Sequence, residues 1–213
     1  MKYSNTQKAE LQTWNLESDY LRQLKLEREV VRYPKLIDDM GLPLLDLAKK
    51  TCLDIGPGPK GILADVDCFY KIALDPLIDG YKEKFKLVDY DKYISGVGEK
   101  IPLKDSSVDL VVCTNALDHT EDPEKVISEI RRVLAPSGYL AVVFCTNLAL
   151  VHPHLAHTNN INETKFHNWI DEDFETIKEL TYKKDGYRYG WVKFDGKCGQ
   201  PAMAWLGRLT TKG

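Results

Sequence analysis

A carboxylate two residues ahead of two closely spaced glycines is the first arrangement in this chain that could do chemistry. The run reads Cys52-Leu53-Asp54-Ile55-Gly56-Pro57-Gly58-Pro59-Lys60-Gly61. Glycines belong where the backbone must turn sharply or let a ligand come close. Taken alone, Gly-x-Gly-x-x-Gly is a weak signal and also fits a dinucleotide-binding loop. Asp54 favours a different ligand, because a carboxylate there would repel a pyrophosphate and attract an ammonium group, directly or through water. A second acid, Asp75, follows the run Tyr70-Lys71-Ile72-Ala73-Leu74, 17 positions after Gly58. A carboxylate at that place can accept two hydrogen bonds from ribose hydroxyls. Asp75 suits either ligand and does not decide between them.

Strands must hold these loops. Thr51–Ile55, Tyr70–Leu74, Val108–Thr114 and Tyr139–Cys145 read as strands. Pro123–Leu134 reads as a helix with Val126, Ile127, Ile130, Val133 and Leu134 on one face, started by Pro123 and stopped by Pro136-Ser137-Gly138. Strands alternating with helices imply parallel βαβ units and a sheet covered on both faces. Ahead of them, Leu11, Trp14, Leu21 and Leu24 recur at helical spacing, so Thr6–Val31 is expected to form one or two amphipathic helices. Pro34 is expected to end or bend that segment, and a second short helix is expected over Leu36–Lys50, interrupted near Gly41 and Pro43. Toward the other end, Phe166–Leu180 looks helical, and Tyr187–Phe194 with Ala202–Thr210 are expected to pair antiparallel at the sheet edge. No repeat or linker divides the chain. One domain over 1–213 is expected: a helical cap over 1–50, a cofactor-binding core over 51–146, and a substrate-side segment with edge strands over 147–213.

The block Gly96-Val97-Gly98-Glu99-Lys100-Ile101-Pro102-Leu103-Lys104-Asp105-Ser106-Ser107-Val108-Asp109 leads through a strand to Thr114-Asn115-Ala116-Leu117-Asp118-His119. With the glycine loop, the acid ending the second strand and Pro136-Ser137-Gly138, the order resembles the class I, Rossmann-like methyltransferases that use S-adenosylmethionine, in particular their type 11 group. The resemblance covers about Cys52 to Phe144. It implies an α/β fold with a doubly wound, mostly parallel seven-stranded sheet, helices on both faces and an antiparallel edge hairpin, plus the N-terminal helical cap. It implies S-adenosylmethionine as cofactor and S-adenosylhomocysteine as product. Asp54, Gly56 and Gly58 would surround the methionine end. Asp75 would hold the ribose, with Pro76 or Leu77 against adenine. The backbone at Gly98 and Glu99 would lie beside the adenine ring, and Asn115 and Leu117 would flank the methionine portion and the reactive methyl. One departure stands out: many relatives carry an acid where this chain has Val97. Gly61 is as well suited to close packing as to ligand binding, Glu99 also reads as a solvated loop charge, and Asp109 is assigned a structural role.

Four of the five histidines, His152, His154, His157 and His167, fall after the fifth expected strand, and His119 follows the fourth. In this fold class both places face the methyl acceptor. A metal site is one reading, but Pro153 and the close spacing make three convergent ligands difficult, and no metal is expected. A general base is another, with His119 or His154 first, because imidazole titrates near neutral pH. Pocket-shaping polar residues are the third. Trp169, Tyr182, Tyr187, Tyr189, Trp191 and Trp205 divide between core packing and stacking on a flat or sugar-like acceptor.

The formal net charge of -3 over 213 residues lacks the basic excess that phosphate-led nucleic-acid binding requires, so general nucleic-acid binding is not expected. No apolar run reaches the roughly 18 residues of a membrane span, and no signal-peptide core is read at the N-terminus, so the cytoplasm is the default location. Five scattered cysteines argue against a disulfide framework, and Cys52, Cys113 and Cys145 sit in apolar runs as expected buried thiols. The expected activity is methyl transfer to oxygen or nitrogen of a small-molecule acceptor, a sugar or other hydroxylated metabolite. A protein acceptor, a non-catalytic cofactor-binding module and a nicotinamide-dependent oxidoreductase are the rival readings. The oligomeric state is not legible.

Overall fold

The computed structural model describes residues 4–14, 33–87, 90–146, 159–182 and 202–210. Seven strands form one sheet: β1 (Thr51–Ile55), β2 (Tyr70–Leu74), β3 (Lys92–Ile94), β4 (Val108–Thr114), β5 (Leu134–Cys145), β6 (Phe174–Tyr182) and β7 (Ala202–Leu209). Their order is β3-β2-β1-β4-β5-β7-β6. The first five pair in parallel, and β7 lies antiparallel between β5 and β6. The helices are α1 (Asn5–Trp14), α2 (33–39), α3 (Ile78–Lys82), α4 (Pro123–Val133) and α5 (Glu163–Ile170). This is the doubly wound arrangement expected, with the antiparallel edge pair and an N-terminal helix.

The central strands are near-continuous apolar runs because both faces are covered. On one face Leu53, Ile55, Val111 and Cys113 pack beneath Val126, Ile127, Ile130 and Val133 of α4 and Phe166 and Ile170 of α5. On the other, Cys52, Ala73, Leu110 and Val112 pack with Tyr33, Leu36 and Met40 from α2 and its end. α4 starts where its sequence says: the Asp122 side chain accepts from the Lys125 amide, and Pro123 takes the first turn. Asp109 is structural, as assigned, for its carboxylate accepts from the Lys50 ammonium (3.1 Å) and the Thr51 amide (2.9 Å). Arg132 ties the approach to β4 onto α4. Its guanidinium donates to the carbonyls of Ile101 and Leu103 and to the carboxylates of Glu129 and Asp105.

Three expectations need correction. The helix expected over Phe166–Leu180 stops at Ile170, and Phe174–Tyr182 is strand β6. Phe174 still reaches the core, edge-on to Trp205 (5.9 Å between ring centroids), but from a strand. The antiparallel partner of Ala202–Leu209 among the described residues is therefore β6; Tyr187–Phe194 lies outside them. Residues 33–39 are helical, and the chain beyond Gly41 makes only a short 3-10 turn, Leu42–Leu44, in place of a helix reaching Lys50. Of the N-terminal amphipathic segment only α1 lies within the described residues. Its Leu11 packs on Leu77, Tyr81 and Phe85, so α1 docks beside the end of β2. Cys52, Cys113 and Cys145 are buried and in no disulfide, and Cys198 lies outside the described residues. Trp205 is wholly buried, its indole N–H donating to the Thr176 hydroxyl (3.0 Å), and so is a core residue. Trp169 packs against the core beneath the Lys165 ammonium. Tyr187, Tyr189 and Trp191 fall outside the described residues.

Candidate active site

The sheet order reverses between β1 and β4, and in such sheets a crevice opens beyond the carboxyl ends of the strands. Register brings the expected residues to that edge. Ile55 pairs with Leu74 on one side and Cys113 on the other, so Gly56, Asp75 and Thr114 stand level.

Gly56 begins the turn at φ 67°, its amide donating to the Leu74 carbonyl (2.9 Å). A Cβ there would lie 2.3 Å from the Cβ of Ala116, so the loop after β1 rests directly on the loop after β4. Gly58 also has a positive φ, 62°, and its amide donates to Asp75 Oδ2 (3.1 Å). The other oxygen of Asp75 accepts from the Leu77 amide (2.8 Å). Asp75 therefore clasps the glycine loop to the end of β2. Burial pushes its carboxyl up to about 6, against the pull of those two amides. The nearby charge of Glu10, from α1, adds to that rise. Pro76 is half-buried in the turn that follows, whereas Leu77 turns into the small cluster under α1.

Asp54 is wholly buried. Its Oδ2 accepts three donors: the amides of Ile62 (3.1 Å) and Leu63 (3.4 Å) and the hydroxyl of Tyr90 (2.5 Å). Its Oδ1 has no partner. Burial pushes this carboxyl up to about 7, opposed first by the Tyr90 hydrogen bond and then by the two amides. Gly61, at φ 67°, is where Tyr90 passes: a Cβ would stand 2.1 Å from its hydroxyl oxygen. Nothing in the sequence marked Tyr90, 36 positions from Asp54 and outside every motif.

After β4, Asn115 holds a left-handed φ of 49°, an uncommon conformation for a residue with a side chain. Both polar atoms of its amide are buried without a partner. Buried polar groups are nearly always satisfied, so an orphaned amide on a strained residue at a strand end marks a place for a ligand. Leu117 is buried at the start of the next turn. His119 ends that turn with Nδ1 3.6 Å from Glu10 Oε2 of α1 and Nε2 3.7 Å from Asp118 Oδ2. The imidazole thus sits between two carboxylates, one of them brought by α1.

Gly98 and Glu99 both meet α4 or its entry. Gly98 is buried, and a Cβ on it would press to 3.1 Å from both methyls of Val126 on α4. The Glu99 carboxylate accepts from the amides of Glu121 (2.7 Å) and Asp122 (3.3 Å), fixing the entry to α4. Val97 is exposed. Of the histidines expected near the acceptor, His152, His154 and His157 lie outside the described residues. His167 is held on α5 by Asp171 (2.8 Å) and Glu179 (3.1 Å); partial burial lowers its pKa, but the two carboxylates together outweigh that and raise it. Among the described residues no group of three or more His, Cys, Asp or Glu is placed to hold a metal ion, and no helix is long and apolar enough to cross a membrane.

Residues 53–142 match a family model described as a methyltransferase domain. The thiol S-methyltransferase TMT1B of Rattus norvegicus is 44% identical over 54 residues, 25% of this chain and 22% of that protein. The ubiquinone/menaquinone biosynthesis C-methyltransferase UbiE of Hahella chejuensis is 27% identical over 124 residues, 57% of this chain and 47% of that protein. The matches thus span less than half the length of these curated relatives. Among solved structures, the N-methyltransferase NodS of Bradyrhizobium japonicum in complex with S-adenosylhomocysteine superposes with a TM-score of 0.67 at 18% identity. That superposition covers 98% of this chain and 100% of NodS. A possible histamine N-methyltransferase of Thermotoga maritima gives 0.67 at 17%, covering 96% and 99%. The fold is that of the Rossmann-like class I methyltransferases, as the motif order implied.

Proposed function

We propose that this chain, whose residues 53–142 match the methyltransferase-domain family on a class I fold, transfers a methyl group from S-adenosylmethionine to oxygen or nitrogen of a small-molecule acceptor. The observation that carries the reading is the pair of orphaned buried groups at neighbouring strand ends, Asp54 Oδ1 and the Asn115 amide. A bare carboxylate oxygen suits an ammonium, and an amide with a free donor and a free acceptor suits an amino-acid carboxylate and ammonium together. The residues therefore fit the methionine end of the cofactor. Asp75 keeps lone pairs beyond its two backbone donors, enough to accept from ribose hydroxyls. Pro76 and the backbone around Gly98 and Glu99 are left to border the adenine.

The sulfonium supplies an activated methyl when bound. The protein's part is to align the acceptor with that methyl and exclude water. α1, whose Glu10 reaches His119, helps close the crevice. Among the described residues His119, between the carboxylates of Asp118 and Glu10, is our first candidate for the base that takes a proton from a hydroxyl or ammonium acceptor. His154 is the second candidate base. The named relatives act at sulfur and carbon, whereas both structural neighbours are named for N-methylation. Two carboxylates and an imidazole gathered after β4 favour a polar acceptor over an apolar thiol or sterol. A small metabolite handled in the cytoplasm, without membrane or nucleic-acid contact, is the reading that fits the composition.

Calorimetric titration with S-adenosylmethionine, S-adenosylhomocysteine and NAD tests the cofactor. Micromolar binding of both adenosyl ligands is the expected outcome, and binding of NAD alone, or of none, refutes the proposal. Transfer of labelled methyl to panels of hydroxylated metabolites, amines, thiols and peptides then identifies the acceptor class. Label confined to peptides would favour a protein methyltransferase, and binding with no transfer in any panel would favour a non-catalytic module.

A further inference from the structure

Asp54 is loaded on one side only. Three donors converge on Oδ2, and Oδ1, in the same buried carboxylate, has none. Two of the donors are backbone amides of the 3-10 turn Ile62–Asp65, which any residue but proline would supply. The third is a side chain. Tyr90 is itself 9% exposed, packed against Tyr93 (5.6 Å between ring centroids) and wedged over Gly61, the one residue type whose missing Cβ leaves its hydroxyl room. An O–H donating to a carboxylate at 2.5 Å is in the range of a strong, charge-assisted hydrogen bond.

We propose that Tyr90 is a positioning residue for the cofactor: its hydroxyl turns the Asp54 carboxylate so that Oδ1 is presented to the ammonium of the adenosyl ligand. This rests on the methyltransferase reading above. The physical need for such a residue is plain. A carboxylate in a dry site tends to take up a proton and lose the charge that would attract the ligand. Burial drives Asp54 in that direction, and the Tyr90 hydrogen bond is the largest effect opposing it. The other titratable groups around Asp54 do not share this role. Asp75 at the end of the neighbouring strand raises the Asp54 pKa further, the thiols of Cys68 and Cys113 feel its charge, and Tyr33 faces Tyr90. Removing the hydroxyl should therefore weaken binding most where protonation competes, at acid pH.

The test is the dissociation constant of S-adenosylhomocysteine for wild type and Tyr90→Phe from pH 5.5 to 9, read as their ratio. The ratio cancels the titration of the ligand's own ammonium. Phenylalanine keeps the ring over Gly61 and removes only the hydroxyl. Loss of a hydrogen bond to a charged group predicts a ratio of about tenfold below pH 6, shrinking to about twofold or less by pH 9. In an Asp54→Asn background the same substitution should leave a ratio near one at every pH. A ratio near one throughout, or a constant loss independent of pH, overturns the proposal and leaves Tyr90 a packing residue. If wild type binds no adenosyl ligand, the methyltransferase reading itself has failed; if wild type binds and the ratio is flat, only this inference has.

Discussion

Gly56→Ala tests whether the loops after β1 and β4 really touch. Two costs follow from the geometry. The φ of 67° puts an alanine in the left-handed region, which costs about 1–2 kcal/mol. The new Cβ would also stand 2.3 Å from the Cβ of Ala116, far inside contact distance, and overpacking of this kind costs about 1–3 kcal/mol. The sum, about 2–5 kcal/mol, is a large share of the stability of a single domain. Ala116→Gly separates the two costs, since it removes the colliding atom and leaves the backbone strain. In that background Gly56→Ala should cost only about 1–2 kcal/mol, giving a coupling energy of about 1–3 kcal/mol between the sites. Urea unfolding of the four proteins of the cycle measures it directly. Additive effects, with coupling below about 0.5 kcal/mol, would refute the contact between the two loops. Titration with S-adenosylhomocysteine should lose affinity with the single substitution and regain part of it in the double.

Asp75→Ala should weaken S-adenosylhomocysteine binding at least tenfold, about 1.4 kcal/mol, and unchanged affinity by calorimetry would remove Asp75 from the site. Asp54 and Asp75 are raised to about 7 and about 6 from 3.8, so the folded ligand-free protein holds protons that the unfolded chain has released. Their stabilising contribution is then complete below about pH 4 and is lost as pH rises through 6 and 7. The stability of wild type minus that of Asp75→Asn, from urea midpoints, should fall by on the order of 1 kcal/mol per unit between pH 4.5 and 6, and a rise would contradict the assignment. Arg132→Met removes the donors to the Ile101 and Leu103 carbonyls and should cost about 1–2 kcal/mol after allowing for solvent screening, with little change in ligand affinity. Equal loss of affinity and stability would mean that the loop before β4 belongs to the binding site.

The parts of this fold that were legible in sequence are those whose signal is local. β1 is an apolar run ended by a glycine turn, and α4 carries its cap, its first-turn proline and its apolar stripe within a dozen residues. The stretch after Phe166 misleads for an instructive reason. Phe166, Ile170 and Phe174 recur at helical spacing and all three are buried against the same side of the sheet. The first two reach it from α5, the third from β6 after the turn at residues 171–173. Spacing reports that the side chains share a core, not that one element carries them. β3, three residues long with no buried position, offers no periodicity to read.

The same distinction decides how much of the site was readable. Asp54, Asp75, Gly56 and Gly58, the candidate residues, are legible because they lie within one turn of chain or at a strand end. Glu99 sits in an equally recognisable motif, yet its carboxylate is occupied by the amides of Glu121 and Asp122, a contact 22 positions away. Tyr90 has no motif at all, and its bond to Asp54 exists only because β3 is laid beside β2 and β2 beside β1. A motif fixes which backbone a ligand can approach. Which charges that ligand meets depends on donors delivered by distant chain, so substitutions at Tyr90 should alter cofactor affinity while the motif itself stays intact.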